Sequence, residues 1–142
     1  MTEVLFFQQL DDELLKHAAV AARYRGGWVL LKREGDGLYE MPGCPRRDGE
    51  NIEQTARRGL CDGTGAARFR LRHVSAYAVK GDDGSMDYGM LYFAEIQDFF
   101  DAAGPASERV GLFEELPEEL AFPHTQPVLL RRAEEAAGEE GL

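Results

Sequence analysis

The chain alternates short apolar runs with polar and glycine-bearing breaks, and the period of the apolar positions changes along it. Residues 4–7 read as a short strand, followed by an acidic, partly helical stretch to residue 16. The runs HAAVAARY (17–24) and WVLLKR (28–33), joined by Arg25-Gly26-Gly27, have the pattern of two strands in a hairpin closed by glycines. Gly35-Asp36-Gly37 breaks the second run, and LYEMPG follows as a short extended piece ended by Pro42-Gly43. The period then switches. Ile52, Ala56 and Leu60 recur every four residues and mark the buried face of a helix, with Glu53, Arg57 and Asp62 elsewhere on it. Asn51 with Gln54 three positions on predicts a capping box at its start, and Gly65 is its natural stop. Residues 68–80, the turn 81–85 and the aromatic-rich run 88–96 predict a long hairpin. After a loop over 98–107, residues 110–120 read as strand and turn. A closing helix over 126–137 carries Pro127 near its first turn. The acidic end, from about residue 134, is expected to fray.

The order β-rich, helix, β-rich, helix points to a mixed sheet flanked by helices, in one domain over 1–142 with neither repeat nor linker. A chain of 142 residues can bury a full core without disulfides. Sixteen basic and 26 acidic residues leave a net charge of −10, which repels nucleic-acid polymers and anionic membranes. A small phosphate ligand would need only local compensation. No run approaches the roughly 20 apolar residues that span a bilayer, and no cleavable leader is evident, so a cytoplasmic location is expected. Cys44 and Cys61 form no CxxC pair and read as reduced thiols. His17, His73 and His124 lack metal-ligand spacing, which argues against zinc.

Residues 42–66, PGCPRRDGENIEQTARRGLCDGTGA, carry the most specific signal. They resemble the Nudix box, G-x5-E-x7-R-E-U-x-E-E-x-G-U with U apolar, without a gap. Glu50 falls on the first glutamate, Arg58 on the arginine, Leu60 on an apolar position and Gly65 on the final glycine. The GGWVLLKR strand, the YEMPG approach and the later apolar hairpin also stand in the order that this family shows. The resemblance implies an α/β fold, the Nudix α/β/α sandwich with a mixed β-sheet. It also implies a cleft for nucleoside diphosphate derivatives, with magnesium or manganese held by the helix glutamates.

The departures bear on function. Cys44 stands at the opening glycine, Gly59 at the glutamate after the arginine, Asp62-Gly63 at the Glu-Glu pair and Ala66 at the last apolar position. The family's three helix glutamates share one helix face, where they can converge on a hard cation. Magnesium demands several convergent oxygens and gives up water reluctantly, yet of that trio only the shorter Asp62 keeps a carboxylate. Metal-assisted hydrolysis is therefore expected to be severely impaired. Each helix glycine also costs about 1 kcal/mol relative to alanine, so propensity does not favour them. Drift after loss of the metal, or close approach of another group to the helix, would account for them.

The remaining candidates each have two readings. Glu50 and Arg58 either form a structural ion pair between loop and helix or act at the site, with Arg58 orienting a carboxylate or touching phosphate. Glu108 lies where related sequences supply a further catalytic or metal-binding carboxylate, so a displaced metal set would be Asp62, Glu50 and Glu108. Arg46 and Arg47 could replace the missing metal charge beside a phosphate or be solvated loop residues. In FPHTQPV, Thr125 and Gln126 match the place where nucleotide-pool-sanitising relatives contact a base, and Phe122 and Tyr39 are stacking or core aromatics. Three functions follow: a degenerate Nudix domain binding a nucleotide or other phosphorylated small molecule, a metal-dependent hydrolase with displaced ligands, or a structural or homodimerising protein.

Overall fold

The two-residue period of β2 (His17–Tyr24) puts alternate side chains on opposite faces, and both faces are buried. Ala18, Val20 and Ala22 join one core cluster with Ile52, Ala56 and Leu60 of α1 (Ile52–Thr64). Ala19 and Ala21 join another with Leu129, Leu130, Ala133 and Ala137 of α2 (Gln126–Glu139). A helix therefore covers each side of the sheet. The computed structural model describes residues 2–101 and 109–139 of the chain.

The other strands are β1 (Glu3–Phe7), β3 (Gly27–Lys32), β4 (Tyr39–Glu40), β5 (Gly43–Pro45), β6 (Ala66–Lys80), β7 (Met86–Phe99) and β8 (Val110–Phe113). They form a mixed sheet in the order β1-β6-β7-β2-β3-β4, with β5 on β2 and β8 on β3. β2 and β7 run parallel, and the other pairs are antiparallel. One edge of β2 lies along β7; its other edge forks, with His17–Ala19 on β5 and Arg23–Tyr24 on β3. The expected α/β sandwich around a mixed sheet is what the chain forms.

The β2–β3 turn places Arg25 (φ 49°) and Gly26 (φ 82°) in the left-handed region, the geometry that matches the twist of a tight hairpin. At the start of α1 the Asn51 side chain accepts from the Gln54 N–H at 2.8 Å, and the Gln54 side chain accepts from the Asn51 N–H at 2.8 Å. Gly65, at φ 78°, ends the helix and donates its N–H to the Cys61 carbonyl. The partly helical stretch expected after β1 holds a single 3-10 turn at Asp12–Leu14. The extended piece β4 ends before Pro42, and Gly43–Pro45 then pairs with β2 as a separate strand. One expectation needs correction. α2 continues to Glu139, since Ala133 and Ala137 bury one face of the segment expected to fray. No helix among the described residues is long and apolar enough to cross a membrane.

Candidate functional site

A cavity of about 550 Å³ opens where the start of β2, the β4–β5 segment, the β6–β7 hairpin and the first turn of α2 meet. Met41, Tyr77 and Phe122 contribute apolar surface, and Lys16, Glu40 and Asp87 are charged residues of its lining. Thr125 and Gln126 line it from the α2 end. Gln126 is only 3% exposed. Its Nε2 donates to the Tyr39 carbonyl at 3.5 Å, while its Oε1 is buried with no hydrogen-bond partner among the described residues. A buried acceptor left unpaired costs stability. On the opposite wall His17 Nδ1 lies 3.4 Å from the Tyr77 hydroxyl. Removal from water lowers the His17 pKa, favouring the neutral ring, and raises that of the buried Tyr77 hydroxyl.

Of the four residues expected to contact a base, the structure brings Phe122, Thr125 and Gln126 to this cavity. Tyr39 is not among its lining residues: its ring packs edge-on against Phe113, with centroids 4.8 Å apart. His17, Tyr77 and Asp87 were not foreseen. No local motif marks them; parallel pairing of His17 with Gly89 and antiparallel pairing of Tyr77 with Gly89 bring two of these distant walls together.

The box-like segment is a second, adjoining region, with Gly43 and Cys44 also in the cavity wall. Arg58 grips Glu50 with two bonds, Nε to Oε2 at 2.7 Å and Nη2 to Oε1 at 3.0 Å. Thr55 and the Arg47 N–H also donate to Glu50 Oε1, at 2.8 and 3.0 Å. Arg58, then the Arg47 N–H, hold the Glu50 carboxyl down to about 2. Arg58 Nη2 also reaches the Pro45 carbonyl at 2.8 Å, so the pair ties strand, loop and helix together. This geometry favours the structural reading of the pair.

Arg46, read from the sequence as either a phosphate cation or a solvated loop residue, also has a structural task. Its guanidinium donates to the carbonyls of Glu50, Asp12 and Leu15 and to the Asp12 carboxylate, fastening the 3-10 turn to the box loop. The Arg47 side chain is exposed. Cys44 donates its thiol to the Thr55 carbonyl at 3.3 Å; burial raises its pKa and that of Cys61, which disfavours the thiolate of both.

The glycines of α1 lie in crowded places. A Cβ on Gly59 would stand 3.0 Å from backbone atoms of Gly43 and 3.0 Å from Cys44 Sγ. On Gly63 it would meet Leu31 Cδ1 at 2.7 Å. At Gly59 the approach of backbone thus supplies a physical reason for glycine that needs no appeal to drift, whereas Gly63 faces only the movable end of the Leu31 side chain.

The described residues do not fit a magnesium or manganese ion. Gly59 and Gly63 offer no carboxylate, both Glu50 oxygens are engaged, and Asp62 stands exposed on the helix. No group of three His, Cys, Asp or Glu among the described residues could hold a metal. Glu108, expected to complete a displaced set, lies outside the described residues.

No family model matches the chain. It is 35% identical over 125 residues to YtkD of Bacillus subtilis (strain 168), a candidate 8-oxo-dGTP diphosphatase, covering 84% of this chain and 75% of that one. It resembles the crystal structure of a mutant of the Bacillus subtilis pyrophosphohydrolase BsRppH, with TM-score 0.72 and 27% identity over 94% of this chain and 90% of the other. A NUDIX hydrolase from Nitrosomonas europaea shares the fold, with TM-score 0.64 at 17% identity over 88% and 90% of the two chains. With a relative matched across most of both sequences, solved Nudix hydrolases matched across the fold, and the box in register between β5 and β6, this chain belongs to the Nudix hydrolase superfamily.

Proposed function

We propose that this Nudix chain binds a nucleotide or another phosphorylated small molecule in the cleft between β2, β5 and α2, with metal-dependent hydrolysis lost or much reduced. The observation that carries the binding reading is the unpaired Oε1 of Gln126 at a cavity-lining residue. A ligand N–H there would satisfy a buried acceptor that the chain itself leaves open. The cavity volume of about 550 Å³ lies within the range usual for small-molecule sites. Exposed Phe122 offers a face on which a base can stack. The loss of hydrolysis rests on the two helix glycines and on the capture of Glu50 by Arg58.

A second reading is favoured by the names of YtkD and BsRppH: a pyrophosphohydrolase of nucleoside diphosphate derivatives, using magnesium or manganese on Asp62, Glu50 and Glu108. A thermal-shift titration separates the two, because a ligand that binds only the folded state raises the melting temperature. Magnesium and manganese are tested alone and with a panel of nucleoside diphosphate derivatives, followed by assays for turnover. Stabilisation by a nucleotide without metal, and no turnover, is the expected result. Stabilisation by metal alone followed by turnover would replace it with the hydrolase reading. No shift from any of them would leave a structural role.

A further inference from the structure

We infer that the cleft recognises the base of its ligand and gains little from the phosphates, so that a nucleoside binds about as tightly as its triphosphate and without a divalent cation. This rests on the binding function proposed above and specifies which part of the ligand is read.

The phosphate side carries the argument. A polyphosphate needs compensation from a metal, from Arg or Lys, or from free backbone N–H groups. Each source is weakened here. Gly59 and Gly63 bear no ligand for a cation. Arg58 is held by Glu50 and the Pro45 carbonyl, and Arg46 by Asp12, Leu15 and Glu50. Three backbone donors of the box loop are also taken: Arg46 N–H by the Lys16 carbonyl, Arg47 N–H by the Glu50 carboxylate and Glu50 N–H by the Arg47 carbonyl. Lys16 and Arg47 are exposed, where salt screens them, and Glu40 and Asp87 in the cavity lining oppose an anion. The surrounding chain adds a net charge of −10.

The base side is better provided. Met41, Tyr77 and Phe122 give apolar surface, while Gln126 Oε1 is an acceptor without a donor. Glu40 and Asp87, costly beside phosphate, are acceptors for amino or ring N–H groups. The chemistry suits a base that presents N–H donors.

The experiment is isothermal titration of the full chain, in chelator and at fixed ionic strength, with adenosine, guanosine and cytidine and their 5′-mono-, di- and triphosphates. At least one nucleoside is expected to bind, with its phosphorylated forms within about threefold of it. Phe122→Ala, at an exposed position, should weaken that nucleoside roughly tenfold through lost stacking. Triphosphates that bind more than about tenfold tighter than the nucleoside, or that need magnesium, would overturn the inference while leaving the binding function standing. Failure of nucleosides and nucleotides alike would overturn both, and an unchanged affinity in Phe122→Ala would remove the base from this cavity.

Discussion

The sulfur of Cys44 lies 3.0 Å from the point that a Cβ on Gly59 would occupy, so β5 and α1 divide one small space between them. In the Nudix pattern the strand position is glycine and the helix position glutamate; here the volumes are reversed. The neighbouring Gly43 is held by its pairing with Ala19 and must itself be glycine, because a Cβ there would stand 2.2 Å from the Ala18 carbonyl oxygen. Gly59 is therefore explained by packing as well as by the absence of a metal ligand.

That arrangement sets the sign of the simplest substitution. Gly59→Ala gains about 1 kcal/mol of helix propensity. It also drives a methyl group against backbone and sulfur, an overpacking that typically costs about 1–3 kcal/mol. The contact with Gly43 backbone makes overpacking the larger effect, so Gly59→Ala should lower stability in urea denaturation. Combining it with Cys44→Gly should recover part of the loss, with a coupling of about 0.5–3 kcal/mol. Strictly additive effects would show that the two residues do not share the space.

Gly63 differs because its obstacle can move. The nearest atom to a new Cβ is the Cδ1 end of Leu31, which a rotamer change can displace. Gly63→Ala should be neutral or stabilising by up to about 1 kcal/mol. A restored site therefore needs three changes, Cys44→Gly, Gly59→Glu and Gly63→Glu. This triple variant should acquire magnesium-dependent thermal stabilisation and nucleotide hydrolysis, whereas Gly59→Glu with Gly63→Glu alone should be impaired in folding. A folded triple variant that neither binds magnesium nor turns over would show that the loss extends beyond the carboxylates.

Much of the scaffold was legible because its signals are local. The capping box at Asn51 and Gln54, the stop at Gly65 and the glycine turn between β2 and β3 each lie within a few residues of what they control. One wall of the cavity was legible through FPHTQPV, which carries Phe122, Thr125 and Gln126 together. Long-range pairing hid the rest. Gly59 has meaning only against Gly43 and Cys44, and Arg46 only against a turn more than thirty positions earlier. Tyr39, legible only as a stacking or a core aromatic, packs on Phe113 across the sheet. His17 and Tyr77 become neighbours only when β2 and β6 both lie beside β7.

Glu50 gives the fold a specific acid sensitivity. Its folded pKa of about 2 is depressed from 4.5, chiefly by the Arg58 hydrogen bond, so the unfolded chain binds the proton more readily. The stability that this ionised group supplies is complete above 4.5 and is lost as pH falls from there through about 2. Glu50→Gln keeps the shape but loses the charge, so it should melt below the wild type near neutral pH. The gap in melting temperature between the two should close across that acid window, while other carboxylates titrate alike in both. A gap that stays constant as pH falls would show that the pair does not titrate with the fold.

Arg46 separates a structural cation from a ligand-binding one. Its side chain is only 18% exposed and bonds to three carbonyls and one carboxylate on both sides of the box loop. Removing a half-buried charged donor leaves those acceptors to find water, at a cost of about 1.5–3 kcal/mol. Arg46→Ala should therefore lose stability in denaturant by that order, and Arg46→Lys should recover only part, because an ammonium cannot reproduce the planar fork. Among molecules that remain folded, nucleotide affinity should stay within about twofold of the wild type, well under the 1.4 kcal/mol that corresponds to tenfold. A variant of unchanged stability whose affinity fell tenfold for nucleotides, and not for nucleosides, would instead return Arg46 to the phosphate.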